Sequence, residues 1–261
     1  MKNITLLRHG ESLGQTAYHN GIDRQKDPSL HDCFLSQKGI GQACQLRKTI
    51  DELHNEEKFE LVCVSPLTRA IATCVLGLGH LSETCMNDDD ADIKDLSCEG
   101  KNQLHHQQRL QGKTASIPFI CHPDLAESGG RIPENKGRPI KKVMRTIEEN
   151  LSFISPSYAA VHSIDFSLLP EKWPRYHGYV STFIEWLHQR PETNIAVVCH
   201  HNVIKALCGR GQVREVFNCI PVQCVLVDGD YRSLHIPNKT WNQTPKEPVQ
   251  TKSTYKKGKT K

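Results

Sequence analysis

The sequence lacks any long apolar run. No segment of its 261 residues approaches the roughly 18 consecutive apolar residues of a membrane-spanning helix, so no membrane partner is expected. Near the start, only Ile4 to Leu7 is apolar before Arg8 and His9 interrupt, too little for the core of a secretory leader. There are 11 cysteines but no C-x-x-C pair, and an odd count without framework spacing points to reduced thiols in the cytoplasm. Cys63 and Cys199 fall in apolar runs and read as small buried hydrophobes. Glycine-rich phosphate loops of the P-loop or dinucleotide type are absent. His105-His106, Cys121-His122 and His200-His201 suggest metal at first sight, but none has zinc-ligand spacing with a matching second pair. No metal and no cofactor are expected.

An excess of charge of one sign is also missing from most of the chain. The formal net charge is +4, yet from Pro245 onward six lysines face only Glu247, a local net of +5. The rest therefore carries about −1, which removes the electrostatic case for nucleic-acid binding by the folded part. The basic end, residues 238–261, reads as a solvated, disordered tail; an acidic partner or nuclear entry is the alternative.

What the sequence does contain is an ordinary globular composition, 37% hydrophobic and 24% charged, and an alternation of short apolar runs with amphipathic stretches. That alternation predicts an α/β fold: a three-layer sandwich with a mostly parallel central sheet flanked by helices. Strands are expected at Ile4–Leu7, Leu61–Val64, Ile195–Cys199 and Cys224–Val227. Ser36 is expected to cap a helix over Gly39–Leu53, and Ser65, followed by Pro66, a helix reaching about Val75. Shorter helices are expected at Asn202–Leu207, Pro139–Leu151 and Tyr179–Gln189. The reading is of one domain over residues 1–237, interrupted by a polar insertion at 82–116 whose Asp88-Asp89-Asp90 run reads as a solvated face.

Three of these strands run into the same chemical vocabulary. The first ends in Arg8-His9-Gly10-Glu11, the second leads to Arg69 in the first turn of its helix, and the third ends in Cys199-His200-His201. Ligands of open α/β sheets bind at the carboxyl edge of the strands, where helix N-termini also favour anions. Taken singly, each histidine reads as a hydrogen-bonded surface residue and each arginine as a solvated charge. Two arginines and two or three imidazoles converging on one edge describe a phosphate pocket, because guanidinium forks match phosphate oxygens and an imidazole can attack phosphorus.

The motifs around these residues resemble the histidine phosphatase superfamily, also called the phosphoglycerate-mutase-like family. Leu6-Leu7-Arg8-His9-Gly10-Glu11-Ser12 resembles its R-H-G signature. Leu35-Ser36-Gln37-Lys38-Gly39 with Gln42-Ala43, then Val64-Ser65-Pro66-Leu67-Thr68-Arg69-Ala70 with Thr73, resemble its next two motifs, and Val197-Val198-Cys199-His200 its last. The resemblance brackets Ile4 to about Leu207. It implies that His9 is the nucleophile, that Arg8, Arg69 and His200 bind the phosphoryl oxygens, and that an acid lies between the second and third strands. Leu125-Ala126-Glu127 fits the family's L-x-E setting, so Glu127 is the candidate proton donor and Asp124 the reserve. His9 would attack with one nitrogen unprotonated, the other held by a backbone carbonyl.

Departures from the pattern bear on selectivity. Gln15 stands where the family has Asn, and His201-Asn202 follow the second histidine where Gly or Ser is usual; Gln15 and His201 are therefore candidate substrate contacts. Arg175-Tyr176-His177-Gly178 is a transposed look-alike of a mutase motif, read as coincidence. Arg131, Lys136, Arg138, Lys141 and Lys142 read equally as a grip on a second acidic group and as a solvated helix face. The expected activity is hydrolysis of a small phosphomonoester through a phosphohistidine on His9, with a phosphoprotein as the other substrate class. The alternatives are a phosphoglycerate-type mutase and a silent phospho-ligand binding module. Oligomeric state is open.

Overall fold

A computed structural model describes residues 1–82, 117–129, 132–174, 179–209 and 211–237. The polar insertion beyond Ser82, Arg131 of the basic stretch, the Arg175–Gly178 look-alike, His105-His106 and the basic tail lie outside the described residues.

The apolar runs become the strands β1 (Lys2–Arg8), β2 (Leu61–Val64), β5 (Asn194–Cys199) and β6 (Val222–Leu226). Two short strands, β3 (Phe119–Cys121) and β4 (Ile164–Asp165), complete a six-stranded sheet in the order β4-β3-β2-β5-β1-β6. All neighbours are parallel except β6, which runs antiparallel to β1. The register pairs Arg8 with Cys199 and Val64 with Val198, so β1, β5 and β2 end level with one another.

Alternation along these strands feeds two cores. Leu7, Val62, Val64, Ala196 and Val198 face one side, where they meet α2 (Gln37–Glu56), α3 (Thr68–Leu78) and α4 (Ile140–Leu151). Ile4, Leu6, Leu61, Cys63, Ile195, Val197 and Cys199 face the other, against α5 (Val180–Gln189) and α6 (His201–Leu207). Helices on both faces of a mostly parallel sheet are the expected sandwich. The helices bury faces at helical spacing, for example Val143, Ile147 and Leu151 of α4. Eight of the nine described cysteines are buried, Cys63 and Cys199 fully, as strand hydrophobes. No helix among the described residues is long and apolar enough to cross a membrane.

Local capping follows the sequence at α2, where the Ser36 hydroxyl accepts from the Gly39 amide at 3.1 Å. It departs at α3. That helix begins at Thr68, its N-cap Leu67 offers no side-chain bond, and Ser65 is not the cap. Asp32, buried in the loop after α1 (Leu13–His19), caps α3 from outside, accepting from the Thr68 amide at 2.9 Å and the Thr68 hydroxyl at 2.7 Å. A remote carboxylate replaces the local serine because Ser65 is engaged with His200 (below).

Two glycines press the R-H-G loop onto α2. A Cβ on Gly39 would overlap the Glu11 carbonyl, and one on Gly10 would overlap the Gly39 carbonyl. Both obstacles are backbone and cannot rotate away. Gly39→Ala is therefore expected to destabilise by about 3 kcal/mol, lowering Tm by roughly 10 °C. Gly41→Ala, two residues along the same helix with nothing within 4 Å, is expected to stabilise by about 0.5–1 kcal/mol. Thermal and denaturant melts of the two variants give opposite signs if this packing is correct.

Candidate active site

The level ends of β1, β5 and β2 deliver Arg8-His9, His200 and Ser65 side by side, and α3 adds Arg69. His9 is 5% exposed, Arg69 2% and His200 0%. The His9 loop is held at four points. Its amide donates to Cys199 at 3.1 Å, the Gly10 amide to the Thr73 hydroxyl at 2.9 Å, and the Glu11 amide to Gln42 Oε1 at 2.8 Å. Asn218 donates to the His9 carbonyl at 2.6 Å. The Glu11 side chain accepts from the Ser36 hydroxyl at 2.9 Å and Lys38 at 3.1 Å. These contacts give physical reasons for Ser36, Lys38, Gly39, Gln42 and Thr73 in the motifs.

His9 has a defined proton placement. Its Nδ1 lies 2.7 Å from the Gly10 carbonyl, an acceptor only, so Nδ1 carries the hydrogen. Its Nε2 accepts from Arg69 Nε at 3.2 Å. Burial pushes the His9 pKa well below the usual histidine range, and the charges of Arg69 and Arg8 push it the same way. His200 follows the same logic, with burial the main cause, then Arg69, His9 and Arg8. The two rings lie 5.0 Å apart. Both imidazoles are thus neutral at neutral pH, and Nε2 of His9 keeps a lone pair for attack.

Arg69 is fixed by three acceptors. Beside His9, its Nη1 donates to the Glu134 carbonyl and its Nη2 to Asn135 Oδ1 at 2.9 Å. A guanidinium has five N–H groups, so two remain for a ligand. Arg8 donates Nη1 to the Val216 carbonyl at 2.7 Å. Its buried Nε has no hydrogen-bond partner among the described residues, and neither has Nδ1 of His200. A buried donor left unmatched costs about 1–3 kcal/mol, and a ligand rich in acceptor oxygens removes that cost.

Of the residues expected at the site, Arg8, His9, Arg69 and His200 come together. Glu127 is half-buried at its margin. Its Oε2 accepts from the Asn202 amide at 3.3 Å at the start of α6, and it exerts the strongest pull of any charge on Arg8. Asp124 has different company: Oδ1 accepts from the Tyr179 amide at 2.9 Å, and Oδ2 lies 3.9 Å from His122. Gln15 closes the capping box of α1 with Ser12 and exchanges hydrogen bonds with Asn218 at 3.2 Å. His201 sits by Arg8 and the Val216 carbonyl, its pKa lowered by burial and then by Arg8 and Lys205. In the basic stretch, Lys136, Lys141 and Lys142 are exposed, while Arg138 donates to the His31 carbonyl.

Four contributors had not been anticipated: Ser65, Asn135, the Glu134 backbone and Asn218. Arg24 bonds the Glu134 carboxylate at 2.6 Å and so ties down the turn that grips Arg69. No sequence signal marks Asn218. For Asn135, the Pro133-Glu134-Asn135 turn is visible, but its target is not.

The fold and the site together define an α/β protein with a buried cluster of imidazoles and arginines at the carboxyl edge of its parallel strands. Residues 4–107 match the model of the histidine phosphatase superfamily (branch 1), a span that includes Arg8, His9 and Arg69. Over that span the chain is similar to members of this superfamily. Phosphoglycerate mutase-like protein 1 of Arabidopsis thaliana is 25% identical over 272 residues, covering 91% of this chain and 87% of its own. Among solved structures, phosphoglycerate mutase from Bacillus anthracis str. Sterne covers 91% of this chain and 93% of its own, with 15% identity and a TM-score of 0.42. Ecdysone phosphate phosphatase from Bombix mori, in complex with tungstate, covers 86% and 89%, with 12% identity and a TM-score of 0.44.

Proposed function

We propose that the protein hydrolyses a phosphomonoester by way of a phosphohistidine on Nε2 of His9. The observation that supports this most is the fixed tautomer of His9, with Nδ1 on the Gly10 carbonyl and Nε2 beside Arg69. In the first step the Nε2–P bond forms as the bond from phosphorus to the leaving oxygen breaks, and Glu127 gives that oxygen a proton. In the second, water attacks phosphorus, the N–P bond breaks, and the Glu127 carboxylate takes the water's proton. Arg8, Arg69 and His200 hold the non-bridging oxygens throughout, where preorganised donors act on charge that grows in the transition state.

Release of phosphate from p-nitrophenyl phosphate in EDTA tests this reading. Turnover is expected; its absence from acidic to neutral pH overturns general phosphatase activity. The acid role of Glu127 makes a sharper claim. Glu127→Gln is expected to slow the phosphorylation of His9 by an alkyl phosphate about 10²- to 10³-fold and that by p-nitrophenyl phosphate far less, because nitrophenolate leaves without a proton. Equal losses of this first step on both substrates, read in the pre-steady-state burst, would contradict the acid role.

A mutase is the second reading, favoured by the coverage of the Arabidopsis relative and its printed name. Interconversion of phosphoglycerates without release of phosphate would establish it.

A further inference from the structure

Ser65 directly follows β2 and His200 directly follows β5, and the Ser65 amide donates to Val198 at 2.9 Å, so the two residues share one strand end. Both are fully buried. The Ser65 hydroxyl lies 2.7 Å from His200 Nε2 and 3.4 Å from the Leu67 amide. A serine hydroxyl has a single hydrogen. The Leu67 amide is a donor and takes a lone pair of that oxygen. The acceptor left for the hydroxyl hydrogen, among the described residues, is His200 Nε2. The reverse arrangement, with Nε2–H donating to serine, leaves the hydroxyl hydrogen buried without an acceptor, which is the costly outcome.

We propose that Ser65 is a positioning residue that fixes His200 as the Nδ1–H tautomer, so that the ring offers a donor to a phosphoryl oxygen. The proposal rests on the phosphate-binding role given to His200 above. With the other tautomer, Nδ1 would turn a lone pair toward the oxygens it has to bind. Nδ1 is the atom of this ring without a hydrogen-bond partner among the described residues, and the ring lies 5.0 Å from the His9 ring and within the field of Arg69 and Arg8. A neutral imidazole has one hydrogen to place, and the serine decides where it goes. The same contact explains why Ser65 does not cap α3.

The test uses the full chain labelled with ¹⁵N-histidine, whose two-bond ¹H–¹⁵N pattern distinguishes tautomers; the His200 signals are assigned by their loss in His200→Gln. The expected wild-type pattern is Nδ1–H with Nε2 unprotonated, moving toward Nε2–H in Ser65→Ala. Orthovanadate affinity, by calorimetry, is expected to fall about tenfold in Ser65→Ala, the loss of one donor to a charged acceptor. Ser65→Thr, which keeps the hydroxyl, is expected to restore both. An Nε2–H pattern in the wild type, or a pattern that Ser65→Ala leaves unchanged, overturns the proposal. Failure of the wild type to bind orthovanadate would instead overturn the phosphate-site reading, whatever the tautomer.

Discussion

His9→Ala is expected to remove turnover, by about 10⁴-fold or more in kcat, the scale on which loss of a covalent nucleophile falls. Among the described residues, Nε2 of His9 is the imidazole nitrogen in the pocket that is both unprotonated and bonded by an arginine, and alanine supplies no substitute. Arg8, Arg69 and His200 remain, so orthovanadate binding is expected to survive, in contrast to activity. The stability of the variant serves as a control with a predictable sign. Burial and the two arginines hold the pKa of His9 below that of an unfolded histidine. As pH falls below about 6.5, the unfolded chain takes up a proton that the folded one refuses, and stability is lost. His9→Ala removes one such group, so its unfolding free energy is expected to fall less steeply with acid than that of the wild type. Kinetics on aryl phosphate, with chemical denaturation across the same pH range, check both. A variant that retains more than a few per cent of kcat would show that the phosphoryl group does not pass through His9.

Arg69→Lys is expected to lower kcat about 10²- to 10⁴-fold with a smaller change in KM. Arg69 reaches three acceptors in three directions: His9, the Glu134 carbonyl and Asn135. One ammonium group on a flexible stem keeps the charge but not the fork. If charge alone mattered, lysine would suffice, so near-wild-type kcat in Arg69→Lys would contradict the account. A stability loss of about 1–3 kcal/mol accompanies the substitution if either acceptor in the 133–135 turn is left without its donor, and the denaturation midpoint measures it.

Much of this fold was legible because its strands are apolar runs with hard stops. Leu61–Val64 and Ile195–Cys199 end in polar residues, and their alternation feeds two opposite cores. β3 and β4 were not legible. A three-residue strand and a two-residue strand, Phe119–Cys121 and Ile164–Asp165, are too short for a period to show, and their pairing depends on β2 being beside them. α1 was missed although its signal is present: Ser12 and Gln15 form an S-x-x-Q capping box.

The four core residues at the pocket were legible because each ends or directly follows a strand, or opens a helix, where chain order fixes position in space. Their supports were not. Asp32, Ser65, Asn135 and Asn218 act across separations of 36, 135, 66 and 209 residues, and nothing local announces the partner. Ser65 shows the limit most clearly. Its Ser-Pro setting reads as a helix cap, and only the neighbouring strand reveals that its hydroxyl belongs to His200.

The central claim is that phosphorus is carried on His9, and trapping the phosphoenzyme tests it most directly. Wild-type enzyme is mixed with ³²P-labelled aryl phosphate in EDTA and quenched in alkali during turnover, since a phosphorylated imidazole survives base and is lost in acid. The account predicts alkali-stable, acid-labile label on Nε2 of His9, absent from His9→Ala. Turnover without label, or label that persists in His9→Ala, would contradict it.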